Sequence, residues 1–135
     1  MSFEEREHTA DILMHIRAPD IPSLFRDAGN ALMKTMYRGT ARPKEETSIM
    51  ITGSSLEQLL HGFLSEILFE SEVQNLVICE FEIQIDEGTL IAKLRGEPFN
   101  PSVHGGGTEV KGISWHGLSI RQEENEYTCD VLFDV

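Results

Sequence analysis

The amino-acid sequence predicts an α+β fold, a single two-layer domain over residues 1–135 with two main helices packed on an antiparallel or mixed β-sheet. Three observations carry that reading. Two segments repeat apolar residues at helical spacing, about seven segments alternate apolar with polar residues, and most connections between them are short and rich in Gly, Pro, Asp or Ser. A chain of 135 residues suits one domain with a core of its own.

Each element follows from its pattern. From Ile12 to Ala18 the residues Ile12, Met14, Ile16 and Ala18 fall on one side and Leu13, His15 and Arg17 on the other, which predicts a strand buried on one face. Ala18-Pro19-Asp20-Ile21-Pro22 interrupts it, with Asp20 placed to cap a helix and Pro22 tolerated in a first turn. Leu24, Phe25, Ala28, Ala31, Leu32 and Met36 then form one helical stripe. Arg38 to Lys44 reads as a solvated basic loop, and Thr47 to Thr52 as a short strand. Ser55 followed by Gln58 matches a capping box, and Leu56, Leu59, Leu60, Phe63, Leu64, Ile67 and Leu68 make the clearest helix. Gly62 inside it points to close packing against a sheet, because glycine there costs about 1 kcal/mol relative to alanine. His61 reads as a surface residue.

Cys79, Phe81, Ile83 and Ile85 alternate with Glu80, Glu82, Gln84 and Asp86, and Asp86-Glu87-Gly88 turns into Leu90 to Arg95, a predicted hairpin. The glycines Gly105, Gly106 and Gly107 suggest a mobile loop, but no Gly-Lys-Ser/Thr follows and no dinucleotide fingerprint is present. Glu109 to His116 reads as a strand that Leu118 to Arg121 continues. Finally Tyr127, Cys129, Val131, Phe133 and Val135 alternate with Thr128, Asp130, Leu132 and Asp134. That parity takes the Asp134 side chain off the apolar face.

Composition narrows the function classes. With 23 acidic against 11 basic residues the formal net charge is −12, which would repel a phosphate backbone and favours a cation or a basic protein as direct partner. Solubility in a crowded cytoplasm is an equally good reason for the same acidity. Cys79 and Cys129 lie in strand patterns and form no CxxC pair, so a reduced cytoplasmic protein without structural zinc is expected. No apolar run approaches the ~20 residues that span a bilayer, and Met1 to Glu7 lacks the character of a signal peptide.

The candidate site lies where polar residues meet the first and last strands. Glu7-His8-Thr9-Ala10-Asp11 feeds the first strand, and the chain stops just after Asp134, making its side chain and the Val135 terminal carboxylate neighbouring donors. If these strands lie side by side, Asp11, Asp134 and Val135 build an oxygen-rich pocket for a hard cation such as Ca²⁺ or Mg²⁺. An Asp before a strand is also a common turn or cap residue.

Four stretches together resemble the archease family, the small accessory proteins of RtcB-type RNA ligases. They are His8-Thr9-Ala10-Asp11-Ile12, the helix from Leu59-Leu60 to Leu68-Phe69, Glu109 to His116, and Phe133-Asp134-Val135. Ser114 stands where the family pattern leads one to expect threonine. The resemblance implies a divalent metal, Ca²⁺ before Mg²⁺ or Mn²⁺, bound by Asp11, Asp134 and Val135, with His8 and His116 as outer partners. It also implies that the protein has no reaction of its own. It would help the ligase become guanylylated and turn over repeatedly in tRNA splicing or repair, with Lys111 engaged in the activation and RNA met mainly through the ligase.

Two other readings compete. A metal-dependent hydrolase could draw on Asp11, Asp134 and the histidines. A serine hydrolase is disfavoured, since no Gly-x-Ser-x-Gly elbow appears. A chaperone-like modulator of a tRNA methyltransferase, a role also associated with archeases, would need the protein surface more than the metal. His8 and His116 read as simple hydrogen-bonding residues ahead of catalytic ones, and Trp115 as a core or interface residue ahead of a base-stacking platform.

Overall fold

In the computed structural model, which describes residues 11–135, the chain forms two antiparallel sheets and two long helices around one core. The elements in chain order are β1 Ile12–Ala18, α1 Ile21–Met36, β2 Glu45–Thr52, α2 Leu56–Gln74, β3 Leu76–Asp86, β4 Thr89–Pro98, the one-turn α3 Pro101–His104, β5 Gly112–Ile113, β6 Ser119–Glu123 and β7 Glu126–Asp134. The α+β class holds. The expected sheet resolves into two, and every pairing among the described strands is antiparallel.

In the first sheet β7 is central, with β1 on one side and β5 and β6 sharing the other. In the second, β4 lies between β2 and β3. Helix α1 packs on β1 and β3, and α2 packs on β2, β3 and β5, so each helix touches both sheets. Phe25, Phe63 and Phe81 interlock where they meet, with Phe63 centroids 6.0 Å and 5.9 Å from the other two rings.

The helix starts behave as their sequences require. Asp20 Oδ1 accepts the Ser23 N–H at 2.8 Å, satisfying one donor that the first turn of α1 leaves open. The Ser23 side chain first, and this backbone bond second, hold the Asp20 carboxyl below its usual range. At α2, Ser55 Oγ accepts the Gln58 N–H at 3.1 Å, but the reciprocal bond of a capping box is displaced by one residue. Gln58 Oε1 instead accepts the Ser54 N–H at 2.7 Å and the Ser54 hydroxyl at 2.9 Å. Gly62 is where α2 meets β2: a Cβ there would stand 2.7 Å from Ile51 Cγ2.

The β3–β4 hairpin turns through Glu87 and Gly88 at φ 43° and 81°, the double positive-φ geometry that suits two-residue hairpins. Three expectations need correction. Glu109 to His116 is not one strand: only Gly112 and Ile113 pair with β7, the chain leaves the ladder at Trp115–Gly117, and β6 rejoins the same edge further along. Gly117, at φ 69°, turns it. The triple-glycine segment is packed rather than free. A Cβ on Gly107 would stand 2.1 Å from Met36 O, and Gly106 O accepts from Arg38 Nε at 2.7 Å. His61, finally, is held against β5, as described below. No helix among the described residues is long and apolar enough to cross a membrane.

Candidate functional site at one end of the β1–β7–β5 sheet

The antiparallel register sets the site. Ile12 pairs with Phe133 and Gly112 with Asp134, so the start of β1, the end of β7 and the start of β5 finish at the same end of the sheet. Asp11 is the residue just before β1, and Lys111 the one just before β5. The Lys111 N–H donates to Asp134 O at 2.7 Å, which extends the ladder by one bond and fixes Lys111 beside Asp134. Asp11 and Lys111 are exposed, while Asp134 and Val135 are half-buried. Four residues separated by up to the length of the chain are thereby gathered: Asp11, Lys111, Asp134 and Val135.

This sheet end is polar for a local reason. The β7 alternation buries Cys129, Val131 and Phe133 in the core and turns Asp130, Leu132 and Asp134 the other way. On β5 and the two residues that lead into it, Val110 and Ile113 are buried while Lys111 is exposed. Gly112, opposite Asp134, carries no side chain. A Cβ there would stand 3.6 Å from Asp134 Oδ2, so glycine leaves that carboxylate uncovered on the β5 side.

The donors match a hard divalent cation in kind, being carboxylates together with the Val135 oxygens. Among the described residues no three His, Cys, Asp or Glu side chains converge as a metal cluster. An ion held by Asp11 and Asp134 would therefore need oxygen from Val135, from the main chain, from water or from a partner. His8 lies outside the described residues. His116 is exposed on the turn between β5 and β6, its own N–H donating to Ser114 Oγ at 3.0 Å.

Two histidines do more than their sequence context indicated. His61 bonds through Nε2 to Ile113 O at 2.8 Å and stacks on Trp115, ring centroids 3.9 Å apart at 9°. It thus ties α2 to β5 and holds one face of a tryptophan that is 55% exposed. The signal was weak: a histidine beside Gly62, on the helix flank where backbone approach is close. His104 is 1% exposed. Its Nδ1 accepts the Asn100 N–H at 3.0 Å, which leaves Nε2–H to donate to Thr40 O and Glu97 Oε2, both at 3.1 Å. Asn100-Pro101 was its sequence cue, an N-cap and a first-turn proline setting up the single turn of α3.

A second charged constellation lies on the same sheet. His15 Nδ1 and Asp130 Oδ1 stand 2.6 Å apart, and this bond, more than the Arg121 contact at 3.4 Å, keeps the Asp130 carboxyl below its usual range. Arg17 Nη2 donates to Glu126 Oε2 at 2.6 Å. Both pairs are open to solvent and serve to fix cross-strand register.

The architecture is that of a small α+β protein already seen in solved structures. It matches the solution structure of Methanobacterium thermoautotrophicum protein 1598 with a TM-score of 0.82 at 25% identity, over 96% of each chain. It also matches the crystal structure of a Thermotoga maritima archease, described as a possible chaperone, with a TM-score of 0.72 at 21% identity, over 100% of this chain and 98% of that one. The model of the Archease protein family (MTH1598/TM1083) matches residues 3–135. The chain is 32% identical to protein archease of Methanopyrus kandleri over the full length of both, and 31% identical to that of Sulfurisphaera tokodaii over 98% of each. The chain belongs to the archease family.

Proposed function

We propose that this archease is an accessory protein without a reaction of its own, which activates an RtcB-type RNA ligase by promoting its guanylylation and repeated turnover. The observation that carries the reading is the register that sets Lys111 against Asp134 at the sheet end shared with Asp11 and Val135. Asp11, Asp134 and the Val135 oxygens would hold a divalent cation, Ca²⁺ first and Mg²⁺ or Mn²⁺ as alternatives. Such an ion, when bound, supplies concentrated positive charge for the oxygens of a partner.

The work of this chain is positioning. Asp134 offers two groups in opposite roles: its backbone carbonyl fixes Lys111, and its carboxylate points off the apolar face of β7. Lys111 is an exposed ammonium on a flexible stem, suited to meet a nucleotide phosphate or a carboxylate of the ligase. A net charge of −12 favours encounter with a basic RNA-binding enzyme, so RNA is met mainly through that enzyme.

The test is guanylylation and multiple-turnover joining by the matching ligase with GTP and divalent metal, with this protein added in substoichiometric amounts. Wild type is expected to stimulate strongly, and Lys111→Ala and Asp134→Ala to lose roughly 100-fold of the effect, the scale of a removed electrostatic contact. Folded variants that stimulate as well as wild type would sink the role given to these residues. Absence of stimulation by wild type, with a tRNA methyltransferase helped regardless of chelator, would establish the chaperone-like alternative instead.

A further inference from the structure

We infer that the outward face of α2 docks a basic amphipathic helix of a partner protein, laid along the row of side chains that runs from Trp115 to Val73. This goes beyond the ligase reading and does not depend on the metal-binding end.

Helical spacing builds the surface. His61, Ser65, Phe69 and Val73 follow one another at intervals of four, so they fall in one row along α2. His61 stacks on Trp115, which sets the indole at the start of that row. Trp115, Phe69 and Val73 are each more than half exposed, and the half-buried Ser65 leaves a low place between the two aromatic side chains. The core contact of α2 is a different face, where Leu60, Phe63, Leu64 and Ile67 are fully buried. From His61 to Val73 the row rises about 18 Å, a length that a few turns of a second helix cover. Exposed apolar groups gathered in this way mark a surface for another protein.

Charge selects the occupant. Glu66 and Glu72 stand three residues before and after Phe69, and Glu70 three before Val73, so carboxylates border the row on both sides. Helix α2 holds no Lys or Arg, and among the described residues no cation pairs with these three. Glu70 accepts from the neutral amide of Gln74. Burial first, and the adjacent Glu70 carboxyl second, push the Glu66 carboxyl above its ordinary range. Glu72 lies in the last turn, where the helix dipole favours a cation. Lysines or arginines flanking the apolar stripe of a partner would meet carboxylates that this chain leaves without a counter-charge. A second copy of the chain fits poorly, because a two-fold contact would set the same carboxylates against each other. A helix fits better than an extended segment, because α2 spends its main-chain groups within itself and offers an incoming strand no ladder.

A display library of helix-forming peptides about eighteen residues long, without tryptophan and randomised on one face, tests this when selected on the whole protein in the absence of divalent metal and GTP. Affinities of the selected peptides are read by fluorescence anisotropy. Apolar residues at helical spacing flanked by Lys or Arg should emerge, and Phe69→Ala should weaken binding about tenfold or more. Glu70→Lys with Glu72→Lys should weaken it comparably, and peptides carrying glutamate for lysine should recover binding to that double variant. Bound peptide should shift the emission of Trp115, the single tryptophan. Met50→Ser with Ile91→Ser, an exposed apolar pair facing each other across β2 and β4, should leave affinity unchanged. No selected peptide, selected peptides indifferent to Phe69→Ala and to charge reversal, an equal loss in the Met50 and Ile91 variant, or self-association of this chain that Phe69→Ala abolishes would overturn the inference.

Discussion

The two sheets use the same antiparallel pairing but distribute regularity and chemistry in opposite ways. The β2–β4–β3 sheet is continuous. Its central strand pairs with β2 from Glu45 to Thr52 and with β3 from Leu76 to Asp86, interrupted by one register shift at Ile78–Glu80. None of the metal-site candidates lies on it. The β1–β7–β5 sheet carries Asp11, Lys111, Asp134 and Val135 at one end, and its outer edge is broken, with two paired residues in β5, an excursion at Trp115–Gly117 that holds His116, and then β6. A regular ladder commits its backbone groups to neighbours and its side chains to a core. Where the ladder stops, polar groups from separate strands can be set side by side.

The contrast predicts that changes to the continuous β2–β4–β3 sheet alter stability and changes to the end of the β1–β7–β5 sheet alter function. Leu94, fully buried on β4, is the sharper probe of stability: Leu94→Ala should cost about 2–5 kcal/mol in chemical denaturation. The surviving folded molecules should activate normally per mole. Asp134→Asn, at the half-buried sheet end, should leave stability within about 0.5 kcal/mol. Comparable losses from both would erase the distinction.

His61 joins the regular part to the broken part, and its loss should have an intermediate effect. His61→Ala removes the bond to Ile113 O and the stack on Trp115, for an expected cost of about 1–2 kcal/mol. Trp115 is the single tryptophan, so its fluorescence should report the change at that place alone.

Much of this arrangement was legible in the sequence where a side chain's own neighbours decide its state. The alternations of β1, β3 and β7, the stripe of α1 and the Glu87-Gly88 turn are local consequences of pleat, helical period and positive φ. The parity that frees Asp134, and its adjacency to Asp11, followed from two strand patterns and an assumed pairing that the register of Ile12 with Phe133 realises. The rest depended on partners remote in the chain. Glu109 to Arg121 looks continuous because alternation cannot reveal that Ser114 N–H reaches Leu132 O while Trp115 leaves the ladder. His61 looked exposed because Ile113 lies 52 residues away. The glycines at 105–107 looked free because their packing surface is the end of α1 and the residues that follow it.

The smallest effect concerns pH. Hydrogen bonding from Ser23, through its side chain first and its backbone N–H second, stabilises ionised Asp20 and lowers its folded-state pKa below the ordinary value of 3.8. A lowered carboxyl contributes stability that is complete above the unfolded value and disappears as pH falls through the folded one. Asp20→Asn keeps a cap but cannot titrate, so its stability should decline less steeply between about pH 4 and pH 2 than that of wild type. Thermal unfolding measured across that range checks the sign, and parallel slopes would remove the assignment.

The bond between His15 and Asp130 joins residues 115 positions apart, and the whole β1–β7 pairing shares that long separation. Closing so large a loop is slow relative to forming the β3–β4 hairpin, whose strands are linked by two residues. Loop closure alone therefore predicts that the hairpin forms before the distant pairing, with the sheet end that brings Asp11 to Asp134 completed late. Its chemistry is a property that a half-folded chain does not display, so a partner that grips this end would distinguish finished molecules from those still folding.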